Sequence, residues 1–180
     1  MKRLDNKVAI VTGASKGIGA GIAKAFAAEG AAVIVNYARD QAGAERVVRA
    51  ITGNGGRAVA VQGDVAQRSD AQRLVAEAIK TFGHLDVLVN NAGVFSFAPF
   101  ERFSEQEFHR QFNTNVLGTF LMIEAALPVF GGGRRQHNQH RIDGQCRCLP
   151  DPFDLCGVQE RCKWLDASAV KRVRPQKDPR

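Results

Sequence analysis

Cysteine is absent from the first 133 residues; all four (Cys146, Cys148, Cys156 and Cys162) lie beyond them, as does the single tryptophan. Neither a disulfide framework nor a thiolate metal site can therefore organise the first three-quarters of the chain. No apolar run is long enough to span a bilayer, which excludes a membrane-crossing helix as an expectation from sequence. No charged-then-apolar leader precedes Lys7, so the expectation is a soluble, cytoplasmic protein without a membrane partner. Acidic residues are in deficit, and the net charge is +7. A basic chain invites nucleic acid as a partner, but the excess is local. Residues 134–180 carry 11 Lys/Arg against 6 Asp/Glu, whereas residues 1–133 carry 14 against 12. The first segment is close to neutral, and no nucleic-acid partner is expected. Two compositions meet near Gly133, one ordinary for a single domain and one not.

What is present is concentrated at the start. Val8-Ala9-Ile10-Val11-Thr12-Gly13-Ala14-Ser15-Lys16-Gly17-Ile18-Gly19 reads as a strand that breaks into a glycine turn and enters a helix. Continuous apolar residues to Val11 mark a strand buried on both faces. Gly13 permits the tight turn, Gly17 lets backbone approach a diphosphate, and Gly19 lets helix pack close to strand. The helix beyond offers free N–H groups and the positive end of its dipole to an anion. The pattern stands at a strand-to-helix joint, which favours nucleotide binding over a plain connecting loop.

The rest of the first segment alternates. Strands are expected at 8–12, 31–35, 58–61 and 85–89. Helices are expected at 17–29, 40–53 and 68–82, then a short one near 104–110 and a longer one from 113 to 130. Gly30 and the Gly53, Gly55 and Gly56 cluster mark helix ends. Alternation of this kind implies right-handed βαβ crossovers and a doubly wound parallel α/β sheet. Residues 1–133 form the expected domain. After the glycines at 131–133 the regularity vanishes. Residues 134–141 have no apolar side where a fifth strand is due, so residues 134–180 are expected to be a disordered tail.

Three ordered motifs carry a resemblance: Thr12-Gly13-Ala14-Ser15-Lys16-Gly17-Ile18-Gly19, Asn90-Asn91-Ala92-Gly93, and Asn113-Thr114-Asn115-Val116-Leu117-Gly118. Residues 4–133 resemble the short-chain dehydrogenases/reductases, with Val35-Asn36-Tyr37-Ala38 closest to the branch that looks like 3-oxoacyl-carrier-protein reductases. The resemblance implies a Rossmann-type sheet with strands 3-2-1-4 kept and later strands lost. It implies that Gly13, Ser15, Lys16, Gly17, Ile18 and Gly19 line the pyrophosphate and adenosine ribose, and that Asp64 and Val65 flank the adenine. It implies that Asn91, Ala92 and Gly93 lie under the cofactor, and that Asn115 belongs to the catalytic set. In the family, the helix backbone at that asparagine holds a water in a proton relay. Asp64 could instead cap the next helix, and the asparagine pair could be structural. The substrate implied is a small carbonyl or alcohol compound.

Cofactor choice follows from charge. An NAD-selective site places a carboxylate at the end of the second strand to hold the ribose hydroxyls. Asn36 stands there, followed by Tyr37, Ala38 and Arg39, with Lys16 in the glycine loop and Asp40 as a counterweight. Lys16 and Arg39 would attract a 2′-phosphate, so NADP(H) is expected over NAD(H).

The family also uses a serine after the fifth strand and a Tyr-x-x-x-Lys on the next helix. Neither occurs in these 180 residues, and the only tyrosine is Tyr37. Reading the possible codons of 134–141 from their second base gives Gly-Gly-Ser-Ile-Ile-Asn-Ile, a strand of the kind due. In the same frame a serine falls at Ile142–Asp143, a tyrosine at Leu155–Cys156 and a lysine at Gln159–Glu160, at the family's spacing. The tail is therefore read as an out-of-frame translation, consistent with one extra nucleotide in the glycine codons. His137, His140 and the four cysteines match no familiar zinc spacing, and no metal site is expected. The family's homotetramer interface uses the helix that carries the tyrosine, so that assembly is expected to be lost. Two functions remain open: an NADP(H)-dependent oxidoreductase lacking part of its machinery, or a nucleotide-binding or interaction fragment without turnover.

Overall fold

The computed structural model describes residues 2–96 and 99–130. Apolar runs at the start of the chain become the two central strands of a parallel sheet. They are β1 (Val8–Val11) and β2 (Ala32–Tyr37), every residue of which is buried. β3 (Arg57–Gln62) flanks β2 and is more exposed than the central strands, with Ala58 its one buried residue. β4 (Val87–Val89) lies on the other side of β1 and is only partly buried. The order is β3-β2-β1-β4, all parallel, with Val11 opposite both Val35 and Val89.

Strand alternation divides the core into two layers. Val8, Ile10, Ala32 and Ile34 face one side and pack with Leu74, Val75 and Ala78 of α3 (Arg68–Phe82) and with Leu121, Met122 and Ala126 of α5 (Gly118–Ala126). Val11, Val33 and Val35 face the other side, against Ala20, Ala23 and Ala27 of α1 (Gly17–Ala28) and Ala44, Val47 and Ile51 of α2 (Gln41–Gly53). The alanine face of α1 is why that helix can approach the sheet closely.

Local signals fix the helix ends. Asp40 accepts the Gly43 N–H at 2.8 Å and caps α2, and Gly83, at φ 88°, ends α3 in the left-handed region. Ser104 accepts the Glu107 N–H at 3.1 Å and starts α4 (Glu105–Phe112), with Glu107 at the capping-box position. The expected long helix from 113 to 130 is instead a π-helical turn over Asn113–Leu117 followed by α5, which ends at Ala126. Arg68 pairs with Glu124 and holds α5 to α3. On the outer face Phe112, Val116 and Phe120 are 51%, 44% and 54% exposed. β4 is shorter than expected because Leu85 leaves the ladder and forms a parallel bridge with Phe130. The expected disordered tail, the absent fifth strand and the six His/Cys residues lie outside the described residues.

At the sheet end opposite the glycine turn, Asp86 joins β1 to β4. It accepts the Val8 N–H at 2.9 Å and Lys7 Nζ at 3.0 Å, with His84 Nε2 at 3.1 Å. Burial opposes its charge, but the Val8 N–H and the Lys7 and His84 charges outweigh it and hold the carboxyl below its usual 3.8. Asp70 is likewise held low, by Arg73 and by the Asp64 N–H. With folded pKa values below the unfolded ones, this stabilisation is full above about pH 4 and is lost on further acidification. The urea midpoint is expected to fall from pH 5 to pH 3, and Asp86→Asn should flatten that fall. An unchanged acid limb in the variant would refute the assignment.

Candidate functional site

Sheet order reverses between β1 and β4, so the loops after these strands diverge and leave a crevice at their C-terminal ends. The glycine turn lies there. Gly13 has φ 62°, and a Cβ on it would stand 2.8 Å from the Ala92 Cα, so both conformation and space demand glycine. No side chain caps α1; Lys16 at its N-cap is extended and exposed, and Ile18 is 78% exposed. An uncapped helix end beside a glycine turn presents backbone N–H donors outward, the arrangement that suits a diphosphate. Space around Gly17 is open, with no atom within 4 Å of where a Cβ would sit.

Two polar side chains build this turn from beneath. Thr12 is 1% exposed, and its hydroxyl donates to Val89 O at 3.1 Å while accepting the N–H groups of Asn91 and Ala92 at 2.9 and 3.0 Å. Asn91 Nδ2 in turn donates to Thr12 O at 2.8 Å and Gly13 O at 3.1 Å. The β4 loop and the glycine turn are thus one hydrogen-bonded body. The structural and the cofactor-facing readings of Asn91 are compatible, because its side chain is committed to the turn that any nucleotide would rest on.

Asn36 differs from the sequence-based expectation of a side chain facing the ribose. It is 1% exposed; its Oδ1 accepts the Gly13 N–H at 3.1 Å and its Nδ2 donates to Gly63 O at 2.9 Å. Tyr37 is 8% exposed. Ala38 and Arg39 are the exposed residues of that corner, and Asp40 is occupied as the α2 cap. Gly43 at the start of α2 packs onto the glycine loop: a Cβ there would meet Ser15 O at 2.8 Å. Val65 lies in the core, 5% exposed, against Gly118. Asp64 is exposed; its Oδ1 accepts the Ala66 N–H at 3.0 Å and its own N–H donates to Asp70, so it forms a turn ahead of α3 rather than that helix's cap, which is Gln67.

Asn115 sits in the π-helical turn, a local widening often found at functional positions. Its amide makes a two-point bond with the Val94 backbone: Oδ1 accepts the N–H and Nδ2 donates to the carbonyl, both at 2.8 Å. Its own carbonyl accepts from Thr119 Oγ1 at 3.1 Å. Asn115 therefore fixes the loop after Gly93 to the helix that follows. Thr12, Val94 and Gly43 were not singled out from sequence. Thr12 had a signal: it extends the inward row Val8, Ile10 by one polar step.

The crevice, the glycine cradle and the exposed cations fit a dinucleotide with an anionic linker. Residues 7–138 match the family model described as short chain dehydrogenase. An uncharacterized oxidoreductase of Methylorubrum extorquens is 56% identical over 133 residues, 74% of this chain and 54% of that protein. Versicolorin reductase 1 of Aspergillus parasiticus is 45% identical, over 73% of this chain and 51% of that protein. A solved short chain dehydrogenase from Burkholderia cenocepacia in complex with NADP superposes with a TM-score of 0.70 at 39% identity, covering 72% of this chain and 53% of that one. The chain thus spans about half the length of the relatives it matches.

Proposed function

The chain belongs to the short-chain dehydrogenase family, and from that premise we propose that it carries the NADP(H)-binding half of a carbonyl or alcohol oxidoreductase. The observation that supports this reading most is the single hydrogen-bonded body made by Thr12, Gly13, Asn36 and Asn91 beneath an uncapped helix end. NADP(H) bound there would supply or accept a hydride at a substrate carbon. Gly13, Ser15, Lys16, Gly17, Ile18 and Gly19 would hold the diphosphate and ribose, Asp64 and the backbone of Val65 would border the adenine, and Asn91, Ala92 and Gly93 would support the ring end. Asn115 would hold the loop after Gly93 in place and, through its backbone, order a water in the proton path.

The phosphate-selecting charge is assigned to Arg39 and Lys16, both exposed and close to the α1 and α2 starts. Titrating the full chain with NADPH and NADH tests the proposal directly. NADPH should bind more tightly, and Arg39→Ala should reduce that preference about tenfold, the scale of one lost charge-assisted hydrogen bond. A wild-type chain that binds neither dinucleotide would refute nucleotide binding. Equal loss of both cofactors in Arg39→Ala would refute its role in selection.

In the same reading, residues 134–180 are out of frame, and this 180-residue chain binds nucleotide without turnover. The serine, tyrosine and lysine that would handle the substrate's proton belong to the alternative frame, as does the helix needed for the family's assembly.

A further inference from the structure

Asn36 occupies the strand end at which a dinucleotide-binding sheet ordinarily displays its ribose-reading residue. Its surroundings here leave nothing to display. The side chain is 1% exposed, and both ends of its amide are spent on main chain from two different loops. Oδ1 accepts the Gly13 N–H of the glycine turn at 3.1 Å, and Nδ2 donates to Gly63 O, in the turn after β3, at 2.9 Å. The Asn36 carbonyl adds the Ala14 N–H at 2.8 Å, and the Gly63 N–H donates to Tyr37 O at 2.9 Å. Gly63 packs closely against Leu74, since a Cβ there would meet Leu74 Cδ1 at 3.0 Å. One buried amide therefore spans β2 and locks the turn after β1 to the turn after β3.

We infer that Asn36 is a positioning residue that sets the glycine turn and the Gly63–Asp64 turn together and does not itself read the ribose, which leaves discrimination between NADP(H) and NAD(H) to the exposed cations Arg39 and Lys16. The inference rests on the proposed nucleotide site. Its physical basis is donor count. An amide has one accepting and one donating end, matching one N–H and one carbonyl. A carboxylate accepts only, so aspartate at position 36 would set an oxygen against Gly63 O in a buried site. An acid at this position could reach a ribose only by leaving both turns unpaired.

Two variants and two readouts test this on the full chain. In the ligand-free protein, Asn36→Ala should accelerate amide exchange at Gly13 and at Asp64 together by about tenfold or more, while Val33 and Ile34 change little. In titrations, Asn36→Ala and Asn36→Asp should each weaken NADPH and NADH by a similar factor, about tenfold, and leave their ratio unchanged. A shift of Asn36→Asp toward NADH would overturn the inference, because the carboxylate would then be reading the ribose. Exchange that rises at only one of the two turns, or at neither, would also overturn it. So would variants that fail to fold even in the cold, since the residue would then serve the whole sheet rather than the site. If the wild type binds neither dinucleotide, the proposed function falls, and the exchange measurement still decides this inference.

Discussion

Deleting one nucleotide within the codons of Gly131–Gly133 is expected to turn a chain without measurable reductase activity into one that oxidises NADPH in the presence of a simple ketone or acetoacetyl thioester. The effect should be the largest available to a single change in this gene. General acid–base help contributes about two to four orders of magnitude, and its tyrosine donor is missing from the 180 residues. Positioning of the substrate against the ring would contribute further, and in the proposed reading the wall that would provide it also belongs to the alternative frame. In the restored chain, bound NADPH would supply a hydride for the carbonyl carbon, and the tyrosine of the alternative frame would give its proton to the oxygen. The lysine of that frame would lower the tyrosine's pKa by its charge. Steady-state absorbance of NADPH distinguishes the two chains. Turnover at ordinary enzyme rates by the 180-residue chain would sink the account. An early stop, or a frame without Tyr-x-x-x-Lys, would sink it equally.

The framework of this fold was legible in the sequence because its strands are uniform. Val8–Val11 and Val33–Val35 are apolar on both faces, and only a central parallel strand has that environment. Helix positions followed from spacing, and Gly30, with φ of 97°, marked the end of α1. Side-chain direction at the strand ends was harder to see. Motif position placed Asn36 at the ribose, yet period-2 alternation puts it in the row Ala32, Ile34, Asn36, which points into the layer packed by α3. Thr12 ends the equivalent row in β1. Both are polar residues continuing a buried apolar row by one step, and that signal predicts a buried hydrogen-bonding role. The bond between Asn115 and Val94 had no such signal, because it depends on a π-helical turn and a loop that meet only in three dimensions.

The third glycine of the turn carries the second large effect. Gly19 lies in the first turn of α1, and a Cβ there would stand 2.6 Å from Gly13 O and 3.0 Å from the Ala14 Cα, with Asn91 Nδ2 closer still. Two of these neighbours are backbone and cannot rotate away. Asn91 is held by its bonds to Thr12 O and Gly13 O, so its retreat would break the link between the β4 loop and the glycine turn. Gly19→Ala must therefore either move α1 off the sheet or release Asn91. Overpacking of this kind costs about 1–3 kcal/mol, and leaving the partly buried Asn91 amide unpaired would add to that cost. The folded protein should lose stability on that scale. Nucleotide binding should fall more than tenfold, because the displaced atoms include the amide donors at the start of α1. Gly21→Ala, in the same helix and with no atom within 4 Å of its Cβ position, is the matched control and should be neutral or slightly stabilising. Chemical denaturation and NADPH titration of the two variants decide the matter. If Gly19→Ala binds NADPH as well as Gly21→Ala does, the contact between α1, the glycine turn and Asn91 is not what shapes the site.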